Sequence, residues 1–102
     1  MTRPKRETEK VEDLVWKDLA PYIILALLEK EPMHGYGVKK KILELSHAKM
    51  GSTTIYAIIY SLMKLGLVEG VWQDRRKVYK LTDKGKYVLD ISRKAISQTI
   101  TA

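Results

Sequence analysis

Over the first two-thirds of the chain, apolar residues recur every three or four positions, and just past Gly66 the interval shortens to two. Val11, Leu14, Val15 and Trp16, followed by Leu19, have helical spacing, with Glu12 and Asp13 well placed in a first turn. This pattern predicts a short helix over about 11–18. Asp18 then caps a second helix from about Leu19, with Pro21 tolerated in its first turn. Residues 20–30 are apolar on nearly every side, as befits a central buried helix, and Glu31-Pro32 ends it. A third helix is expected over about 34–46. Tyr36, Val38, Ile42, Leu43 and Leu45 line one side of it, with Lys39, Lys40, Lys41 and Glu44 mostly on the other. Gly35 and Gly37 weaken its first turn but let the backbone approach a neighbour or a phosphate closely.

After a polar bridge over 46–51, Ser52 or Thr53 is the expected N-cap of a fourth helix over 52–65. Ile55, Ile58, Ile59, Leu62 and Leu65 form its inward face, and Thr53, Tyr56, Ala57, Tyr60, Ser61 and Lys64 its outward one. Gly66 stops it. Two strand-like runs, 67–73 and 77–81, flank Asp74-Arg75-Arg76 and predict a β-hairpin. Thr82 then caps a last helix reaching about residue 100. The first ten residues are polar, contain Pro4 and lack periodicity, so they are expected to form a flexible basic tail.

Three helices followed by a charged hairpin and a further helix form a mainly α (α+β) arrangement, the winged helix-turn-helix with a two-stranded wing. The expected division is a tail over 1–10, a winged domain with its N-terminal helix over 11–82, and a C-terminal helix over 83–102. That last helix, about 27 Å long at 1.5 Å per residue, outreaches so small a core. Val88, Leu89, Ile91, Ala95, Ile96 and Ile100 on it, with Leu14, Val15 and Trp16 near the N-terminus, are therefore the expected dimer interface.

Composition narrows the function classes. The absence of cysteine excludes disulfides and thiolate metal sites. His34 and His47 stand 13 residues apart without a repeated carboxylate partner, so no metal, cofactor or catalytic constellation is expected. No apolar run approaches the length of a membrane span, and the basic start leads into Glu7, Glu9, Glu12 and Asp13 instead of a signal-peptide core. A cytoplasmic, non-enzymatic protein is expected. The net charge of +7 is unevenly placed: residues 1–33 hold 6 Lys/Arg against 7 Asp/Glu, and residues 34–102 hold 13 against 5. The excess lies where a polyanion-binding face would need it.

The fourth helix suits a DNA major groove. Ser52, Thr53, Thr54, Tyr56, Tyr60 and Ser61 offer hydroxyls, Ala57 a small apolar contact and Lys64 a cation, and no carboxylate occurs from 45 to 68. Arg75, Arg76 and Lys77 would lie along the backbone or enter the minor groove, and Lys39 and Lys40 extend the basic surface. Two such helices in a symmetric dimer would stand about 34 Å apart on a near-palindromic double-stranded site. The same fold also serves as a protein-interaction module. Affinity for duplex DNA that falls steeply with salt separates the two readings.

From residue 22 to residue 86 the chain resembles the PadR-like transcriptional regulators. The carrying stretches are Ile24-Leu25-Ala26-Leu27-Leu28, Pro32-Met33-His34-Gly35-Tyr36, Thr54-Ile55-Tyr56, Leu62 with Gly66-Leu67-Val68-Glu69, and Arg76-Lys77-Val78-Tyr79-Lys80-Leu81-Thr82-Asp83-Lys84-Gly85. The resemblance implies winged-helix DNA binding by a regulator whose short members dimerise through the last helix, often helped by the first, and for this chain repression is the expected outcome. Some relatives bind an aromatic effector at the dimer interface; Trp16 and Trp72 are the large rings available here, and nothing in the sequence establishes such a ligand. The chain departs from the family on the reading face. Ser52-Thr53 stand where a proline and a glycine are usual, Ala57 replaces a common proline, and Ser61 replaces a frequent arginine. An operator sequence is therefore not carried over from relatives.

Overall fold

The computed structural model describes residues 4, 6–47 and 50–101. In chain order the elements are α1 (Glu7–Lys30), β1 (Met33–His34), α2 (Gly35–Leu45), α3 (Ser52–Lys64), β2 (Val68–Gln73), β3 (Arg76–Leu81) and α4 (Asp83–Thr101). This is a winged helix with an added helix at its C-terminal end.

α1 departs most from expectation. It is one helix of 24 residues where two were expected, and Pro21 lies inside it instead of near its start. An internal proline removes a backbone hydrogen bond and costs about 3 kcal/mol. The burial of Ala20, Ile24, Leu25 and Leu28 in one continuous register offsets that cost. The helix also begins earlier than expected, at Glu7, with Glu7 and Glu9 as the acids of its first turn. The polar tail is thus shorter than the expected ten residues; positions 1–3 and 5 lie outside the described residues.

Beyond α1, Pro32 disfavours helical geometry in the residue before it, and Glu31 is extended at φ −164°, ψ 151°. The chain so enters β1, a third strand that two residues are too short to announce by alternation. The sheet order is β1-β3-β2, all antiparallel. Met33 pairs with Tyr79 and His34 with Val78, while the hairpin pairs Val68 with Leu81, Gly70 with Tyr79, Trp72 with Lys77 and Gln73 with Arg76. Arg76 is therefore in a strand, and the turn itself is Asp74-Arg75.

One core gathers every layer. Ile24 from α1, Val38 and Ile42 from α2, Ile55 and Ile59 from α3, and Leu89 from α4 are fully buried, with Val68 and Tyr79 of the sheet packed on them. The expected inward faces of α2 and α3 are too wide. Tyr36 and Leu45 at the two ends of α2, and Leu65 just past α3, are exposed because they overhang the edge of this small core. The bridge between α2 and α3 is less polar than it looks: Ser46 and Met50 are both buried.

α4 is clamped at its start and middle. Thr82 Oγ1 accepts the Gly85 N–H at 3.0 Å, the expected cap, and donates to the Gly66 carbonyl at 2.6 Å. Further on, Arg93 holds Glu29 of α1 through both guanidinium nitrogens, at 2.8 and 3.1 Å. Leu89 is completely buried in its own protomer, so it anchors α4 and is unavailable to a partner, contrary to the expected interface. Ile91, Ala95, Ile96 and Ile100 are exposed, as are Leu14 and Val15 on α1; Val88 is half-buried, and Trp16 is half-buried against the core.

Candidate nucleic-acid interface

α3 is the centre of the site. Its N-cap is Gly51, extended at φ −79°, ψ 158°, and not Ser52 or Thr53, which are already helical. No side-chain oxygen of the cap takes up the N–H groups of the first turn, which contains no acid. The helix therefore begins with a partial positive charge and donors to spare. Thr53, Thr54, Ala57, Tyr60, Ser61 and Lys64 are exposed along it, and Ser52 and Tyr56 are half-buried. Ser61 Oγ donates to the Ala57 carbonyl at 3.0 Å, so its proton is already committed and the oxygen remains only as an acceptor.

The wing brings its cations to a bend of unusual conformation. Asp74 and Arg75 both have positive φ, 46° and 68°. Two consecutive left-handed residues make a tight hairpin turn that usually carries Asn-Gly or Asp-Gly. Aspartate tolerates the geometry; arginine at the second place costs on the order of 1 kcal/mol. Glycine would be easier there, so the guanidinium is kept at the tip against a local conformational cost. Arg75 and Arg76 are exposed. Lys77 is not at the tip in the same sense. Its stem lies over Gly70, where a Cβ would overlap Lys77 Cε, and its ammonium stands 5.8 Å from the centre of the Tyr79 ring.

Wing and recognition-type helix meet at Tyr79. Burial, first, and then the neighbouring Tyr60 and Tyr56 phenols hold the Tyr79 hydroxyl above its ordinary pKa. These phenols join β3 to α3. The first turn of α2 closes against the same group: a Cβ on Gly35 would stand 2.7 Å from Tyr56 Cε1 and 3.3 Å from Tyr79 Cε2. The close backbone approach expected of Gly35 is present, whereas Gly37 has only Met33 in ordinary contact. Between the three elements lies an open cleft of about 400 Å³, lined by His34, Gly35, Tyr36, Tyr56, Arg76, Lys77 and Tyr79.

Of the basic residues expected on α2, Lys39 leans over Tyr36, one of the residues lining this cleft, 5.6 Å from its ring centre. Lys40 lines a separate hollow of about 390 Å³ with Glu31, Lys41 and Glu44, where the charges are mixed. Sequence reasoning missed Tyr79 and Gly70, which hold the wing in place, because their roles depend on pairing across the hairpin and on contact with α3. Of the two tryptophans, Trp16 packs from α1 and Trp72 stands exposed on β2. Among the described residues no cluster could hold a metal ion, and no helix is long and apolar enough to cross a membrane.

Known proteins agree with this architecture. The family model for the transcriptional regulator PadR-like family matches residues 24–91. No curated protein sequence matches the chain. Among solved structures, a PadR-like transcriptional regulator from Bacillus cereus superposes with a TM-score of 0.76 at 24% identity, over 86% of this chain and 93% of its own. A protein of Streptococcus mutans is 33% identical over 79% of this chain and 78% of its own, with a TM-score of 0.72. A PadR-like transcription factor from Bacteroides fragilis is 29% identical, covers 90% of this chain and 96% of its own, and gives a TM-score of 0.65. The chain belongs to the PadR-like family of transcriptional regulators, a family of regulators and not of enzymes.

Proposed function

We propose that this protein binds double-stranded DNA sequence-specifically, as a homodimer on a near-palindromic operator, and represses transcription by occupying it. The observation that carries the reading is the meeting of α3 with the wing: Tyr56 shares a cleft with Arg76, Lys77 and Tyr79, and Tyr60 stands near enough to Tyr79 to raise its pKa. Thr53, Thr54, Ala57, Tyr60 and Ser61 meet base edges in the major groove, with Ser52 and Lys64 on flanking phosphates. Arg75, Arg76 and Lys77 follow the backbone into the adjoining minor groove, and Lys39 adds a phosphate contact. Lys40, in its mixed-charge hollow, contributes least.

The dimer is carried by surfaces one protomer leaves uncovered. Ile91, Ile96 and Ile100 on α4, and Val11, Leu14 and Val15 on α1, are large exposed apolar residues that a second copy would bury. Val88, Ala95 and Trp16 border them. Leu89 is excluded by its own burial.

Footprinting the purified protein on the DNA upstream of its own gene, across a salt series, tests the reading. A protected, two-fold-symmetric stretch with affinity falling steeply in salt is expected. Protection absent at every salt concentration, with the folded protein instead capturing a protein partner, would support the interaction-module reading of the same fold.

A further inference from the structure

Trp72 has no structural occupation. It is 70% exposed, although tryptophan is among the residues a small core can use best. Its place in the hairpin register explains where it points. Val68, Gly70 and Trp72 alternate on one face of β2, opposite Leu81, Tyr79 and Lys77 of β3. Val68 and Tyr79 lie in the core, with Leu81 packed against it, so this is the face turned towards the helices. Trp72 continues that face past the edge of the core, beside the cations of the tip.

Two further features keep the indole uncovered. Gly70, two residues earlier on the same face, has no side chain to lean on it. Lys77, its direct cross-strand partner, lays its stem over Gly70 and its ammonium over Tyr79, away from the position opposite Trp72. The result is an exposed indole close to the turn that carries Arg75 and to the first strand residue after it, Arg76. A second copy presenting the same tip would bring like charges together. A polyanion with apolar surface between its charges fits, and duplex DNA has such surface in its deoxyribose rings and base edges.

We propose that Trp72 is a DNA-contacting residue of the wing, packing its indole against the deoxyribose wall of the minor groove while Arg75 and Arg76 hold the phosphates. This inference rests on the DNA-binding reading above and adds a non-ionic contact to it. A non-ionic contact has a distinct signature: its loss lowers affinity without changing the salt slope, because no counterions are released on its account.

The test uses the intact protein and a mixed-sequence duplex of about three helical turns, roughly 30 base pairs. Binding is followed by anisotropy of the labelled duplex across a salt series, for wild type, Trp72→Ala and Trp72→Phe. Trp72→Ala should weaken binding about tenfold, within the range for aromatic contacts to nucleic acid, with the slope unchanged; Trp72→Phe should recover most of the loss. Intrinsic fluorescence should be quenched on binding in the wild type and far less in Trp72→Phe, where only Trp16 reports. Wild-type affinity in Trp72→Ala, or the same quenching in Trp72→Phe, overturns the proposal while leaving DNA binding in place. A fluorescence shift with protein concentration in the absence of duplex that is seen in wild type and lost in Trp72→Phe also overturns it, placing Trp72 between copies. Failure of the wild type to bind any duplex removes both this proposal and the reading beneath it.

Discussion

The junction between the recognition-type helix and α4 invites a test by a single methyl group. Gly85 sits in the first turn of α4, where a Cβ would overlap the Leu67 carbonyl oxygen and lie 2.7 Å from Leu81 Cδ1 and 3.0 Å from the Leu67 carbonyl carbon. That carbonyl cannot swing aside freely, because it accepts the Thr82 N–H at 3.1 Å. Gly85→Ala must therefore move α4 or break this bond. Overpacking costs about 1–3 kcal/mol and the lost hydrogen bond about 1 kcal/mol, against a helix-propensity gain of about 1 kcal/mol. The net loss is about 1–3 kcal/mol, or roughly 4–24 °C in Tm for a domain of this size. Gly37→Ala is the control, since its Cβ would meet only Met33 Cβ at 3.8 Å. There the propensity gain stands alone and Tm should rise by roughly 3–6 °C. Thermal unfolding followed by circular dichroism reads both. A Gly85→Ala protein as stable as wild type, or a Gly37→Ala protein destabilised as much as Gly85→Ala, would refute the packing argument.

Replacing Arg75 and Arg76 together with alanine should weaken binding to every duplex and make the salt slope shallower by about two, one per lost phosphate contact, as read by anisotropy across a salt series. Gly35→Ala should push the Tyr56 ring out of the cleft: a side chain can yield, so the stability cost stays within about 1–2 kcal/mol, while duplex affinity falls measurably. Ile96→Glu with Ile100→Glu should give a monomer in sedimentation and cost about a hundredfold or more in affinity for a palindromic site, leaving half-site binding intact. Tyr79 has its pKa raised by burial and by Tyr60, so the folded state favours the protonated phenol. Its contribution is complete below the ordinary tyrosine value of about 10 and fades as pH rises through the higher folded value. Tyr79→Phe should remove that alkaline loss, measured as the difference in urea stability between the two proteins across that range.

Much of this architecture is written in residue spacing. The intervals of Ile55, Ile59 and Leu62, ended by Gly66, mark α3 almost to the residue, and the change of period after Gly66 marks the wing. The features that escaped depend on tertiary contact. Pro21 reads locally as a helix start, and only the register of Ala20, Ile24 and Leu28 against the core keeps α1 continuous through it. β1 exists because Met33 and His34 find β3, which no two-residue pattern can announce. Tyr36, Leu45 and Leu65 satisfy a helical stripe yet lie beyond the rim of the core. In the site, the outward hydroxyls and the tip arginines were legible as residue types. The meeting of wing and helix at Tyr79, Tyr60, Tyr56 and the bare backbone of Gly35 was not, because it joins residues 19 or more positions apart.

Amide chemical-shift mapping with an isotope-labelled protein and the footprinted duplex probes the shared orientation of helix and wing most directly. The account expects residues 52–64 and residues 75–77 to shift together, at the same duplex concentration, as parts of one surface. Shifts confined to one of the two groups, or gathered on a face that includes neither, would contradict it.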